Sequence, residues 1–296
     1  MRTLTTRWRL TAGIAALALA ATACGDNGDD GDDETSAPAD APEFEEGSTM
    51  AQIQEAGELR VGVKYDQPLF GVNTPGGVEG FDAEIANLIA EGIWGEGGAD
   101  NVAFSEAVSA VREEILQQDQ VDIVVSTYTI NDERKELVGF AGPYYVAGQD
   151  IMVVEGNPEG IEGIDDLNGQ PVCSVEGSTS IDNLREMAPE AEVLSLDTYS
   201  ACAEEMSQGN VTAVTTDNVI LIGLIDERDG EFELVDNPFT DEPYGIGTQL
   251  EQDDLREFIN DRLEEIYESG EWAQAWEDTA GTVTDSTPEP PEVDRY

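Results

Sequence analysis

The stretch VDIVVSTYTINDERK, residues 121–135, decides how the rest of the chain is read. Its first half is a nearly continuous apolar run, of the kind a strand covered on both faces requires. It then passes through the hydroxyls of Ser126, Thr127 and Thr129 to Asn131, a helix N-cap candidate, and to Arg134 and Lys135. The Arg-Lys pair is out of character for a chain with 65 Asp and Glu against 13 Lys and Arg. A cation kept in so acidic a composition has something specific to hold.

The same grammar repeats on either side. ELRVGV (58–63) is strand-like, and FDAEIANLIAEGI (81–93) places Phe81, Ile85, Leu88 and Ile89 at helical spacing. QPVCSV (170–175), a helix from about Ser180, EVLSL (192–196), the helical YSACAEEMSQ (199–208), VTAVTT (211–216) and NVILIGLIDE (218–227) continue the alternation. Strands alternating with helices predict an α/β architecture with parallel sheets. Lys64, Thr127, Thr129, Ser178, Thr179 and Asp217 all fall at or just beyond the C-terminal ends of predicted strands. Open α/β sheets bind ligands at that edge.

At 296 residues and 40% hydrophobic content the chain can bury a large core in one or two domains. Residues 1–23 read as an export signal, with Arg2, Arg7 and Arg9 ahead of the apolar run TAGIAALALAATA. The run is too short for a membrane span. Its end, AATAC, resembles a lipobox that would acylate Cys24, although Ala21 stands where leucine is usual. If Cys24 is lipidated, Cys173 and Cys202 are an even pair in an oxidising space, either a disulfide or two buried thiols. The chain has no His, which removes imidazole chemistry, and no thiolate zinc set. Carboxylate binding of calcium stays open; no cofactor and no metal is expected.

Residues 24–49 and 281–296 are acidic, rich in Gly, Pro and Ser and without periodicity, and predict a disordered tether and tail. Between them, residues 50–280 hold 51 acids and 9 bases, a balance of −42. That charge argues against nucleic acid and anionic membrane as partners and suits a halophilic-type surface in concentrated salt, where self-repulsion is screened.

LRVGVKYDQP, GVEGFDAEIANLIA, STYTINDERKELVGFAGPYY, CSVEGSTS, MSQGNVTAVTTD and PYGIGT occur in the order seen in the amino-acid-binding proteins of bacterial ABC importers, extracellular solute-binding proteins of family 3. The resemblance covers about residues 50–278. The KYDQP opening and the placing of Cys173 and Cys202 are most similar to actinobacterial glutamate-binding lipoproteins. It implies the type II periplasmic-binding-protein fold, two α/β lobes with the ligand in the cleft between them. Lobe one would be 50–146 with 242–280, lobe two 147–241, and the hinge would lie near YYVAGQD and NPFTDEPYG.

The resemblance also implies a division of labour for a buried amino acid, whose charges need partners. Arg134 would hold the α-carboxylate with its guanidinium fork, the bland alternative being a surface pair with Asp132 or Glu136. Lys135 would be a surface or lobe-closing charge. Thr127, Thr129, Ser178 and Thr179 would add hydroxyls and amides, and Asp217 would take the ammonium, or serve as a helix N-cap. Lys64 and Arg112 would meet a second, side-chain carboxylate, unless Lys64 pairs with Asp66 or Glu84 and Arg112 is an exposed helix charge beside Glu113 and Glu114. Tyr199 and Tyr244 would close over the ligand, and Trp272 and Trp276 would pack.

These readings together predict a non-enzymatic, monomeric lipoprotein on the outer face of the cell membrane. It would pass glutamate, or aspartate, to ABC permease subunits. A glutamine, asparagine or other polar amino-acid receptor is the alternative, with a dehydratase-like enzyme or an adhesin on the same fold ranked below.

Overall fold

A computed structural model describes residues 41–284 and 287–296. The export signal, Cys24 and residues 25–40 of the tether lie outside the described residues. The chain runs through helix α1 (Thr49–Ala56), strands β1 (Leu59–Val63), β2 (Asp66–Gln67), β3 (Gly71–Thr74) and β4 (Gly77–Glu79), helix α2 (Phe81–Trp94), β5 (Val102–Glu106), α3 (Arg112–Gln117), β6 (Ile123–Val124), α4 (Asp132–Lys135) and β7 (Gly139–Ala147). It continues through β8 (Gln149–Val154), β9 (Pro171–Val175), α5 (Thr179–Met187), β10 (Glu192–Leu196), α6 (Tyr199–Ser207), β11 (Ala213–Asp217), α7 (Asn218–Glu227) and β12 (Phe232–Leu234). It then returns as β13 (Glu242–Thr248) and ends in α8 (Asp253–Ser269) and α9 (Glu271–Asp278).

These strands make two five-stranded sheets, ordered β5-β1-β6-β13-β7 and β10-β9-β11-β8-β12, and a small sheet of β2, β3 and β4. The sheets are mixed rather than wholly parallel as the sequence predicts. β13 runs antiparallel to β6 and β7, and β8 antiparallel to β11 and β12. The reason is the double crossing: β7 leaves the first lobe and becomes β8 across Gly148, and β13 comes back beside β7 with Glu242 opposite Ala147.

In the second sheet Ile151, Val153 and Val172 face one apolar cluster while Met152, Cys173 and Val175 face another. This period of two fills both faces, so the strands read as unbroken apolar runs. Cys173 of β9 is bonded to Cys202 of α6, S–S 1.99 Å. The first lobe's core gathers Phe70, Phe81, Trp272 and Trp276, the two indoles stacked at 6.0 Å, so the tryptophans do pack. Burying each such ring stabilises by about 1.5–3 kcal/mol.

The two tails differ from the tether reading where they are described. Phe44 packs edge-on against Phe258 at 5.4 Å. At the other end Asp294 N donates to Gly142 O (2.8 Å), Phe140 N donates to the Tyr296 hydroxyl (2.8 Å), and Arg295 pairs with Asp261 (2.7 Å) and Glu264 (2.9 Å). The segment 287–296 thus covers β7, the edge of the first sheet, where unpaired backbone groups would otherwise be open.

Candidate ligand-binding site

The C-terminal ends of the central strands in both lobes face one another, and the segments that follow them enclose a small cavity. Ser109, Arg112, Thr127 and Thr129 line it from the first lobe, and Ser178, Thr179, Ser180, Tyr199, Asp217 and Ile220 from the second. The room for the centre of a water-sized sphere is about 10 Å³, roughly what one water needs. Anything larger than a water does not fit between the lobes as they stand.

Arg134 is placed by local chemistry. Asn131 caps α4 by accepting from Arg134 N at 2.8 Å, which starts the helix where the strand's hydroxyl run ends. The buried guanidinium then donates to Thr129 O (2.7 Å) and Gly177 O (3.1 Å), with Glu113 Oε1 at 3.4 Å from Nε. Its partners are therefore not Asp132 or Glu136. Lys135, on the same helix, lies outside the cavity, 3.7 Å from Asp294 and over the ring of Tyr296.

Arg112 is 2% exposed, not a solvated helix charge. It donates to Ser109 O, Ser126 O and Thr127 O, and to Gly177 O of the second lobe at 3.3 Å. Arg112 and Arg134 both lie over the ring of Tyr128, at 4.2 and 4.9 Å, so one aromatic ring tempers two charges. Burial, with Arg134 nearby, pulls the Arg112 guanidinium down to about 10.

Lys64 follows β1 directly and is 1% exposed. Its Nζ donates to the Ser109 hydroxyl at 2.8 Å, which stands between it and the cavity. No hydrogen bond or ion pair joins it to Asp66 or Glu84 among the described residues. Burial first, then the charge of Arg112, pulls its pKa down to about 7. Burying the three cations is costly even with Asp82, Asp217 and Glu113 near them, and an anion placed among them would lower the cost.

Thr127 carries strain that its surroundings hold in place. Its φ is +42°, an outlier for a β-branched residue. Asp82, fully buried, accepts from Thr127 N at 2.9 Å and from the Tyr144 hydroxyl. Gln67 Oε1 lies 3.0 Å from the Thr127 hydroxyl.

In the second lobe Ser178 caps α5, accepting from Ile181 N at 3.1 Å, and Thr179 donates to Glu242 Oε2 at 2.8 Å. Asp217 stands at the N-cap position of α7 but makes no side-chain cap bond. Its Oδ2 accepts from the Tyr244 hydroxyl at 2.6 Å, and its buried Oδ1 has no protein partner among the described residues. Burial, then Glu242, pushes its carboxyl up to about 7.

Of the ten residues read as ligand-binding in the sequence, seven line this cavity: Arg112, Thr127, Thr129, Ser178, Thr179, Tyr199 and Asp217. Lys64, Arg134 and Tyr244 lie one bond behind it, on Ser109, Thr129 and Asp217 respectively. Sequence reasoning missed Ser109, Ser180 and Ile220 in the lining, and Asp82 and Gly177 behind it. Gly177 had a readable signal, the strand-glycine-serine turn before α5. Its φ is +75°, and a Cβ there would lie 2.6 Å from the Ala110 Cα of the other lobe.

A cleft with this architecture is a solute site, and the family model for bacterial extracellular solute-binding proteins, family 3, matches residues 59–278. The chain belongs to that family. The family 3 chain thus has the type II two-lobe fold, with its cleft at the lobe boundary and an extracytoplasmic working place. It is 36% identical over 259 residues to the glutamate-binding protein GluB of Corynebacterium efficiens, covering 83% of this chain and 88% of that one. It is 39% identical over 231 residues to the glutamine-binding protein GlnH of Bacillus subtilis, covering 77% and 83%. Among solved structures it is similar to an ancestral arginine-binding protein bound to glutamine (TM-score 0.70, 33% identity, 75% of this chain and 97% of that one). It is also similar to a solute receptor for L-cysteine of Neisseria gonorrhoeae (TM-score 0.76, 27% identity, 83% and 99%).

Proposed function

We propose that the protein captures a free acidic amino acid, glutamate foremost and aspartate second, and hands it to the permease of an ABC importer without transforming it. The observation that carries this reading is the charge layout. Lys64, Arg112 and Arg134 converge from the first lobe, opposite an Asp217 oxygen of the second that has no partner among the described residues. A ligand with two carboxylates and one ammonium supplies the complement. Arg134 would take the α-carboxylate with Thr127, Thr129, Ser178 and Thr179, Lys64 and Arg112 the side-chain carboxylate, and Asp217 the ammonium, with Tyr199 and Tyr244 closing around it. The lobes divide as residues 50–146 with 242–280, and 147–241. Cys24 carries the lipid that keeps the receptor, a monomer, at the outer face of the membrane.

A second reading, a glutamine receptor, is favoured by one observation. Arg112 already spends donors on four carbonyls, and burial pulls Lys64 down to about 7 so that it is not fully charged at pH 7, which weakens the case for a second carboxylate. The relatives include proteins named for each ligand. Calorimetric titration of the purified protein, unfolded and refolded to strip bound amino acid, with glutamate, aspartate, glutamine and asparagine decides between them. Glutamate bound at least about tenfold more tightly than glutamine, a gap of about 1.4 kcal/mol, supports the acidic reading. The reverse order installs the amide reading, and no binding of any of the four overturns both.

A further inference from the structure

Helix α6 takes its N-terminal hydrogen bonds from both lobes. Thr198, its own N-cap, accepts from Ala201 N at 3.4 Å. The two amides before it are satisfied from across the cleft, where Asp66 Oδ2 accepts from Tyr199 N at 2.9 Å and from Ser200 N at 3.3 Å. Asp66 lies in β2, shortly before Phe70 of the first lobe's core. A carboxylate on the first turn of a nine-residue helix meets both unpaired amides and the positive end of the helix dipole.

Two further observations make this contact one between whole lobes. Cys202 of α6 is bonded to Cys173 of β9, so the helix moves with the second sheet. The carbonyl of Pro68, two residues after Asp66, presses on α7 at Gly223, where a Cβ would come within 2.4 Å of that oxygen. The contact therefore belongs to the arrangement in which the lobes are closed on each other. The first residue of the capped helix, Tyr199, lines the cavity together with Ser178 and Ser180.

We infer that Asp66 is a positioning residue for solute binding: it latches the first lobe to α6, holds Tyr199 at the cavity wall and slows solute release without touching the solute. The inference rests on the amino-acid-receptor reading only for the choice of solute. A latch formed after capture acts on dissociation, because the encounter takes place with the lobes apart.

The test compares the wild-type protein with Asp66→Ala and Asp66→Asn, using whichever of radiolabelled glutamate or glutamine the wild type binds. Asp66→Ala is expected to raise Kd about tenfold, equivalent to about 1.4 kcal/mol, through faster release with an unchanged association rate. Asp66→Asn, which keeps an acceptor oxygen, recovers part of the loss. Amide hydrogen exchange at Tyr199 and Ser200 is read in parallel with and without ligand, and should accelerate in Asp66→Ala with saturating ligand, where the lobes are closed. A lower melting temperature with unchanged release rate would overturn the latch, since a local cap alone would do that. If neither amino acid binds the wild type, the receptor reading fails. The exchange rates then still decide the contact: acceleration upholds it and no change removes it.

Discussion

Tyr244 donates its hydroxyl to Asp217 Oδ2 across the lobe boundary at 2.6 Å and leaves Oδ1 of the same carboxylate without a partner among the described residues. A buried carboxylate with one satisfied and one free oxygen is half of an interaction, and in the proposed function a ligand ammonium would be the other half. Asp217→Asn should weaken amino-acid binding by at least about thirtyfold, because truncating one partner of a buried charge pair costs about 2–5 kcal/mol. Tyr244→Phe should cost less, about tenfold, since it removes one neutral donor. Titration calorimetry of both variants checks the order.

The pH dependence follows from burial. Asp217 and Asp82 are raised from 3.8 to about 7, so between those values the folded protein keeps protons that the unfolded chain has released, and their contribution to stability falls as pH rises. Lys64 is lowered from 10.5 to about 7, so above pH 7 the unfolded chain holds the extra proton and stability rises with pH. Together these groups place a minimum near pH 7 in the free protein. The difference in melting temperature between wild type and a Lys64→Met, Asp217→Asn double variant, taken from pH 5 to 9, should be most unfavourable to the wild type near pH 7. A flat difference would mean that the groups are more solvated than the geometry indicates.

On the proposed acidic-ligand reading, Lys64 sets which ligand side chain is accepted. Lys64→Met keeps the volume of the stem and removes the charge and the bond to Ser109. Glutamate affinity should fall at least about tenfold while glutamine affinity changes less than about threefold, the asymmetry expected when a charge-assisted bond is lost on one side only. Equal losses for both would show that Lys64 acts only through Ser109.

Gly223 is required by closure. With a Cβ 2.4 Å from the Pro68 carbonyl, Gly223→Ala should leave each lobe folded but hold the lobes apart. Small-angle scattering with saturating ligand should report a larger radius of gyration than for the wild type, and the affinity should drop. Wild-type compaction in the variant would show that the loop at Pro68 yields.

The disulfide spans 29 residues within one lobe. A loop of that length stabilises by about 3–4 kcal/mol in the chain-entropy model. Cys173→Ser with Cys202→Ser should lower the denaturant midpoint accordingly, while leaving the ligand rank order intact, because neither sulfur lines the cavity.

Much of the site was legible in sequence because its parts are local. Asn131 three residues before Arg134 is a cap, and the cap starts the helix that carries the guanidinium inward. Lys64, Ser178 and Asp217 each sit at the end of an apolar run, and parallel strands bring such ends to one edge. Asp82 was not legible. It reads as an ordinary acidic residue in the first turn of α2, yet it is buried against Thr127, 45 positions away. Gly177 O was also hidden, since nothing in a backbone carbonyl's sequence says that two arginines from another lobe will share it.

The sequence by itself determined the α/β class, the export signal reading, the strand-end positions of the polar residues and the scarcity of cations that made Lys64, Arg112 and Arg134 stand out. Those properties depend on composition and short-range periodicity, which a linear string carries in full. Only the tertiary structure decided that the sheets are mixed, that the C-terminal segment covers β7, that Arg112 spends its donors on carbonyls, and that Asp66 caps a helix in the other lobe. Each of these depends on groups that are distant along the chain and are brought within about 3 Å of one another by packing, the range over which a hydrogen bond acts.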